Sequence, residues 1–188
     1  MIDLGTFSGK KGLERLREEV EALLDSRRTV IVAVAGLPGS GKTHMVKKCV
    51  RFGFGSFGKD DVAVIDDNTV YTTRFWRLQW DKLKGGKEEI AAFVRSAGAE
   101  VLFFSNWIPG RFIDHADIMV YLEAPEGTRL RRLKKRYRKE PEKYRIQKAK
   151  RTIPEEPAFR CERSMTIMND SPAMTVWFLS WILRRLVR

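Results

Sequence analysis

The chain has 188 residues, 43% of them hydrophobic, and its 36 Lys and Arg against 24 Asp and Glu give a formal net charge of +12. That is enough apolar sequence for one sizeable core, so a single domain over 1–188 is expected. Two cysteines, Cys49 and Cys161, exclude a disulfide framework, and the isolated His44 and His115 leave no zinc spacing.

The first ten residues lack the apolar core of a signal peptide, and the longest apolar stretch, 173–183, is too short to span a bilayer. The expectation is a soluble, cytoplasmic protein with no membrane partner. Residues 10–25 read as an amphipathic helix with Leu13, Leu16, Val20, Leu23 and Leu24 on one face, so 1–28 is expected to be a helical N-terminal extension packed on the sheet. Residues 29–35 are a β-branched apolar run of the kind a buried parallel strand needs.

Next come Gly36, Leu37, Pro38, Gly39, Ser40, Gly41, Lys42 and Thr43, which fit the pattern G-x-x-x-x-G-K-[ST] between a strand and a helix. Glycines let backbone N–H groups converge on phosphate oxygens, and the helix N-terminus adds positive partial charge. Lys42 can reach the outer phosphates, and the Thr43 hydroxyl is placed to ligate Mg²⁺. A nucleoside triphosphate is the expected ligand.

Alternating Phe and Gly over 51–59 predicts a loop whose rings pack on the core. A second strand at 61–65 ends in Asp66-Asp67. A polar, aromatic segment at 68–86 follows, with Tyr71, Phe75, Trp76 and Trp80, and then a helix over 87–97 closed by Gly98. Strands are expected at 100–104, running into Ser105-Asn106, and at 117–122. Residues 125–139 read as a basic helix, 164–168 as a fifth strand, and Asn169 to Pro172 as the turn into an apolar last helix. Strands alternating with helices predict a five-stranded parallel sheet in an α/β/α sandwich, with ligands beyond the carboxyl ends of the strands.

The charge is local. Between Arg129 and Arg151 there are thirteen Lys and Arg against two Glu, +11 of the total. This points to one phosphate-facing segment rather than a generally basic surface.

Taken in order, the glycine-rich motif, Asp66-Asp67 with Tyr71, the run 117–125 leading into Arg129, Arg131, Arg132 and Arg136, and 166–170 resemble the small P-loop kinases of the uridine kinase and dephospho-coenzyme-A kinase type. The resemblance covers most of the chain from Thr29 onward. It implies a P-loop NTPase fold with an arginine-rich lid over 126–157, 68–86 as the acceptor-binding segment, and ATP- and Mg²⁺-dependent phosphoryl transfer to a nucleoside, nucleotide or coenzyme precursor. Gly36, Gly39, Ser40, Gly41, Lys42 and Thr43 would hold the triphosphate, with Arg129 and Asn169 also near the nucleotide. Arg132 and Arg136, one helical turn apart, would close over the transferring group. Asp66 or Asp67 would act as base or as a water-mediated Mg²⁺ ligand, with Asp67 favoured to face the acceptor and Asp66, with Thr43, to lie nearer the metal.

One position departs from the pattern. The strand that usually ends in an acidic residue ends here in the neutral Ser105-Asn106, so Asp66 or Asp114 must supply that charge, or catalysis is weak. Two other readings compete: a kinase acting on RNA or DNA ends, and a nucleic-acid-binding NTPase switch, both drawing on the basic segment and the aromatic residues. The sequence leaves the oligomeric state open.

Overall fold

A computed structural model describes residues 1–66, 69–71, 78–79, 98–154 and 159–169. The chain folds as an α/β protein around a parallel sheet of six strands, an arrangement compatible with a Rossmann-like layout. These strands are β1 (Ile2–Ser8), β2 (Val30–Ala35), β3 (Val62–Asp66), β6 (Val101–Ser105), β7 (His115–Glu123) and β8 (Arg160–Met168). Two short strands, β4 (Thr69–Tyr71) and β5 (Leu78–Gln79), extend it antiparallel, giving the order β1-β8-β7-β2-β6-β3-β4-β5. The four described α-helices are α1 (Gly9–Leu24), α2 (Lys42–Phe52), α3 (Glu126–Arg136) and α4 (Pro141–Ala149).

The expected five parallel strands are therefore six, and the N-terminal extension is not only a helix. β1 pairs in parallel with β8 at the edge of the sheet. Its alternation is hidden in the sequence because the register shifts between Asp3 and Thr6, around Gly5 at φ +93°. A bulge inserts one residue and reverses the phase, so the half-buried Leu4 and Phe7, three apart, both pack against the same core cluster.

The period-two alternation of β2 sends its side chains to opposite faces. Val30, Val32 and Val34 join the core under α1 and α2, while Ala33, Ala35 and the half-buried Ile31 join a second cluster on the other face. α1 buries Leu13, Leu16, Val20 and Leu23, spaced three and four apart as a helix stripe requires. Buried Glu19 on α1 pairs with Arg15 and with Arg163 of β8. The Phe-Gly loop packs inward as expected: Phe54 is fully buried and meets Phe103 edge-on, ring centroids 5.2 Å apart.

β7 and β8 begin earlier than their apolar stretches, because charged side chains there pair across strands. Arg27 bridges Asp117 and both carboxylate oxygens of Glu162, while Asp117 Oδ2 also accepts the Ile31 N–H at 2.6 Å. This network pins the amino edge of the sheet, opposite the glycine-rich loop. The basic segment holds a second helix, α4, that the sequence reading did not separate; Pro141 opens it, with φ already suited to a first helical position.

The expected helices at 87–97 and 173–183, most of the acceptor segment 68–86, and Asp170 lie outside the described residues. Among the described residues, no helix is long and apolar enough to cross a membrane.

Phe103 lies at 0% exposure in the middle of the larger cluster. Phe103→Ala should therefore cost about 3–5 kcal/mol, read as a lower urea midpoint with an unchanged slope.

Candidate phosphate-binding site

β2 sits between β6 and β7, and the connection leaving β2 runs toward one edge of the sheet, to β3, while that leaving β7 runs toward the other, to β8. A crevice opens at such a reversal, beyond the carboxyl ends of the strands. Residues 36–43 fill its mouth, and Lys42 and Thr43 are the first two residues of α2. The loop is held by neighbours that tolerate no side chain at its glycines. A Cβ on Gly36 would collide with the Leu122 carbonyl at the end of β7, and one on Gly41, at φ +108°, with the Asn169 amide nitrogen. Gly39, at φ +88°, would meet the Arg129 carbonyl at 2.8 Å.

Hydrogen bonds fix the same loop. Asn169 Nδ2 donates to the Ser40 carbonyl at 2.6 Å, and Arg132 donates to the carbonyls of Ser40 and Gly39 at 3.0 and 3.3 Å. Arg129 donates to the Pro38 carbonyl at 3.5 Å and lies 3.8 Å from Glu126. Lys42 Nζ donates to the Gly36 carbonyl at 2.7 Å. The Thr43 hydroxyl donates to Asp66 Oδ1 at 3.2 Å, and Asp66 is only 7% exposed.

A cavity of about 570 Å³ lies above this arrangement, lined by Gly39, Gly41, Lys42, Thr43, Asp66, Arg132 and Arg136 among others. A second, of about 430 Å³, opens on another side of the loop between Leu37, Ser40, Leu122, Arg129 and Ile153. The expected residues thus sort into two groups. Gly39, Gly41, Lys42, Thr43, Asp66, Arg132 and Arg136 share the larger cavity; Ser40 and Arg129 line the smaller, with Gly36 and Asn169 bracing the loop.

Arg129 is 3% exposed and pinned beneath the loop, a different situation from the cavity-facing Arg132 and Arg136. Asp67 lies outside the described residues. Asp114 precedes β7 and its carbonyl accepts from Arg160 N–H at 2.9 Å, at the amino edge of the sheet. It cannot fold back to the loop as the sequence allowed, because parallel strands put its end of β7 on the opposite side.

Ser105 is the last residue of β6. It is the register partner of Val34 on one side and of Asp66 on the other. The Asp66 carboxylate therefore sits at the level of Ser105, two strands from the loop-bearing β2. Ser105 Oγ itself is buried without a hydrogen-bond partner.

Sequence reasoning missed Trp107, Tyr137, His44 and Lys150 on the cavity wall. Trp107 follows Asn106 just past the carboxyl end of β6, so the strand-end rule could have found it. Lys150 Nζ lies 3.7 Å from the Trp107 ring centroid, a pairing across 43 residues that no local pattern announces. Burial, then repulsion from Arg131, lowers the Arg132 pKa from its ordinary value. The His44 pKa is lowered by burial first, then by Lys48 and Arg132. Burial pushes the Cys49 thiol up, so it is no nucleophile at neutral pH.

Comparison of the chain with protein-family models and with curated proteins finds no match.

The His44 shift has a definite sign. Its folded-state pKa lies below the ordinary 6.5, so near and below that pH the unfolded chain binds more protons and stability falls as pH drops. His44→Asn should lose less stability than the parent between about pH 7.5 and pH 5, measured as urea midpoints along the pH series.

Proposed function

We propose that the chain is a P-loop kinase that transfers the terminal phosphoryl group of ATP to a small acceptor such as a nucleoside, nucleotide or coenzyme precursor. The observation that carries the reading is the convergence of Lys42, Thr43, Asp66, Arg132 and Arg136 on one cavity above a glycine-rich loop at a helix N-terminus. The strand order, with the loop-bearing strand in mid-sheet at a reversal of connections, supports the same reading.

The loop amides and the α2 N-terminus would bind the β-phosphate region. The smaller cavity, with Leu37, Leu122, Ala124 and Ile153 on its walls, suits the base. Lys42 and Arg132 now donate to loop carbonyls, and phosphate oxygens would take over as their acceptors. Arg132 and Arg136 would then offset charge on the transferring group and shut out water.

A hydroxyl beside a buried carboxylate is a hard oxygen donor set, and it fits Mg²⁺. Thr43 and Asp66 would hold that ion, which when bound supplies charge neutralisation at the phosphate oxygens. In the transfer, the acceptor hydroxyl oxygen forms a bond to the γ-phosphorus. The bond from γ-phosphorus to the β–γ bridging oxygen breaks, and ADP leaves with the electron pair. Asp66, or Asp67 next to it in sequence, would accept the hydroxyl proton.

The test is ATP consumption against a panel of nucleosides, nucleotides and coenzyme precursors. One acceptor should raise the rate several-fold, and a flat response across the panel would count against a small acceptor. Lys42→Ala should abolish turnover, and Arg132→Ala should lower kcat by more than about tenfold, roughly 1.4 kcal/mol of transition-state stabilisation. An unchanged kcat in the arginine variant would remove its assignment.

A further inference from the structure

We propose that the outer face of the α3–α4 hairpin binds the backbone of single-stranded nucleic acid. The proposal is independent of the kinase reading, because its residues line neither cavity beside the loop. Of the thirteen cations between Arg129 and Arg151, three face the larger cavity (Arg132, Arg136 and Lys150) and Arg129 is buried. Lys143, Arg145 and Arg151 are paired with Glu140, Glu142 and Glu126.

Six remain: Arg131, Lys134, Lys135, Arg138, Lys139 and Lys148. All are exposed, and among the described residues none has a carboxylate within 4.0 Å. Arg131, Lys134 and Lys135 fall at helical spacings of three and four on α3, one face of a helix, and the spacing continues to Arg138 in the turn beyond it. Like charges at such spacings repel. A cation stripe beyond what the cavity uses is a standing repulsion that a polyanion relieves.

Two features choose the polyanion. A membrane-surface helix needs large apolar side chains opposite its basic face, and on this hairpin the exposed large hydrophobic residue is Ile146 alone among the described residues. The half-buried Tyr144 has Lys148 Nζ 6.0 Å from its ring centroid, an aromatic platform beside a cation. That combination stacks an unpaired base and grips its phosphate.

The experiment is fluorescence anisotropy of a labelled single-stranded oligonucleotide of about 20 nucleotides with the full chain across a KCl series. If all six cations meet phosphates, log K should fall against log salt with a slope of about −4. A Lys134→Gln, Lys135→Gln double variant should make the slope shallower by about 1.4 and weaken low-salt binding by about tenfold or more. Tyr144→Leu should weaken binding at an unchanged slope, and Lys42→Ala should bind the oligonucleotide as the parent does. Because all the substituted lysines are exposed, far-ultraviolet circular dichroism should match the parent; an Arg131→Gln, Arg138→Gln pair reads the same stripe if it does not. The proposal is overturned by absence of binding at low salt, by parental slopes in both double variants, or by binding to phosphatidylserine vesicles that the oligonucleotide fails to displace. Loss of ATP turnover with oligonucleotide binding intact would strike the kinase reading and leave this one standing.

Discussion

Three close approaches to glycine, two by backbone carbonyls and one by a side-chain amide, hold the carboxyl edge of this protein together. Gly36 abuts the last turn of β7, Gly39 abuts α3, and Gly41 abuts Asn169 just past β8. Each contact leaves room for a hydrogen atom and not for a methyl group. The loop is therefore a joint between three separate elements as well as a connector between β2 and α2. Its shape is imposed from outside, by elements far apart in sequence. A loop held in this way has less conformational entropy to lose on binding.

The charges at this edge follow from the same packing. Lys42, Arg129 and Arg132 each donate to a carbonyl of the loop, so cations that could meet phosphates are already directed at the loop. Arg129 is held so deeply that it braces the loop, whereas Arg132 and Arg136 keep an open side toward the cavity. A guanidinium with several donors can satisfy a carbonyl and still present N–H groups elsewhere, which a lysine with one flexible point charge does less well. Arginine on α3 therefore fits both duties, positioning the loop and facing what the loop holds.

Much of this was legible in the sequence because the signals were short in range. The glycine-rich motif, the β-branched run before it and the apolar stripe of α1 each lie within a window of a few turns, and each forms the element expected of it. β1 escaped because a bulge at Gly5 breaks the period-two pattern that marks a strand. The early starts of β7 and β8 escaped for another reason: Arg27, Asp117 and Glu162 read as separate surface charges and become one network only when β7 and β8 lie side by side next to the segment leading into β2. The pairing of Lys150 with Trp107 is likewise tertiary and has no local signature. Of the two adjacent acids, only Asp66 is within the described residues, where it accepts from the Thr43 hydroxyl.

The neutral end of β6 shows how sheet register can place a charge. In a parallel sheet, residues at one level on neighbouring strands lie about 4.8 Å apart. Asp66 is level with Ser105, and Ser105 is level with Val34 on the loop-bearing strand. Asp66 thus shares a face and a height with the end of β6, and it reaches Thr43 because α2 lies over these strands. A side chain as small as serine at the intervening position leaves space for that reach, whereas an acid there would face Asp66 across one strand spacing and raise its electrostatic cost. The neutral residue at 105 and the acid at 66 are two halves of one arrangement. Register places a carboxylate at the end of β3, level with the serine that ends β6, and that carboxylate is the one that accepts from Thr43.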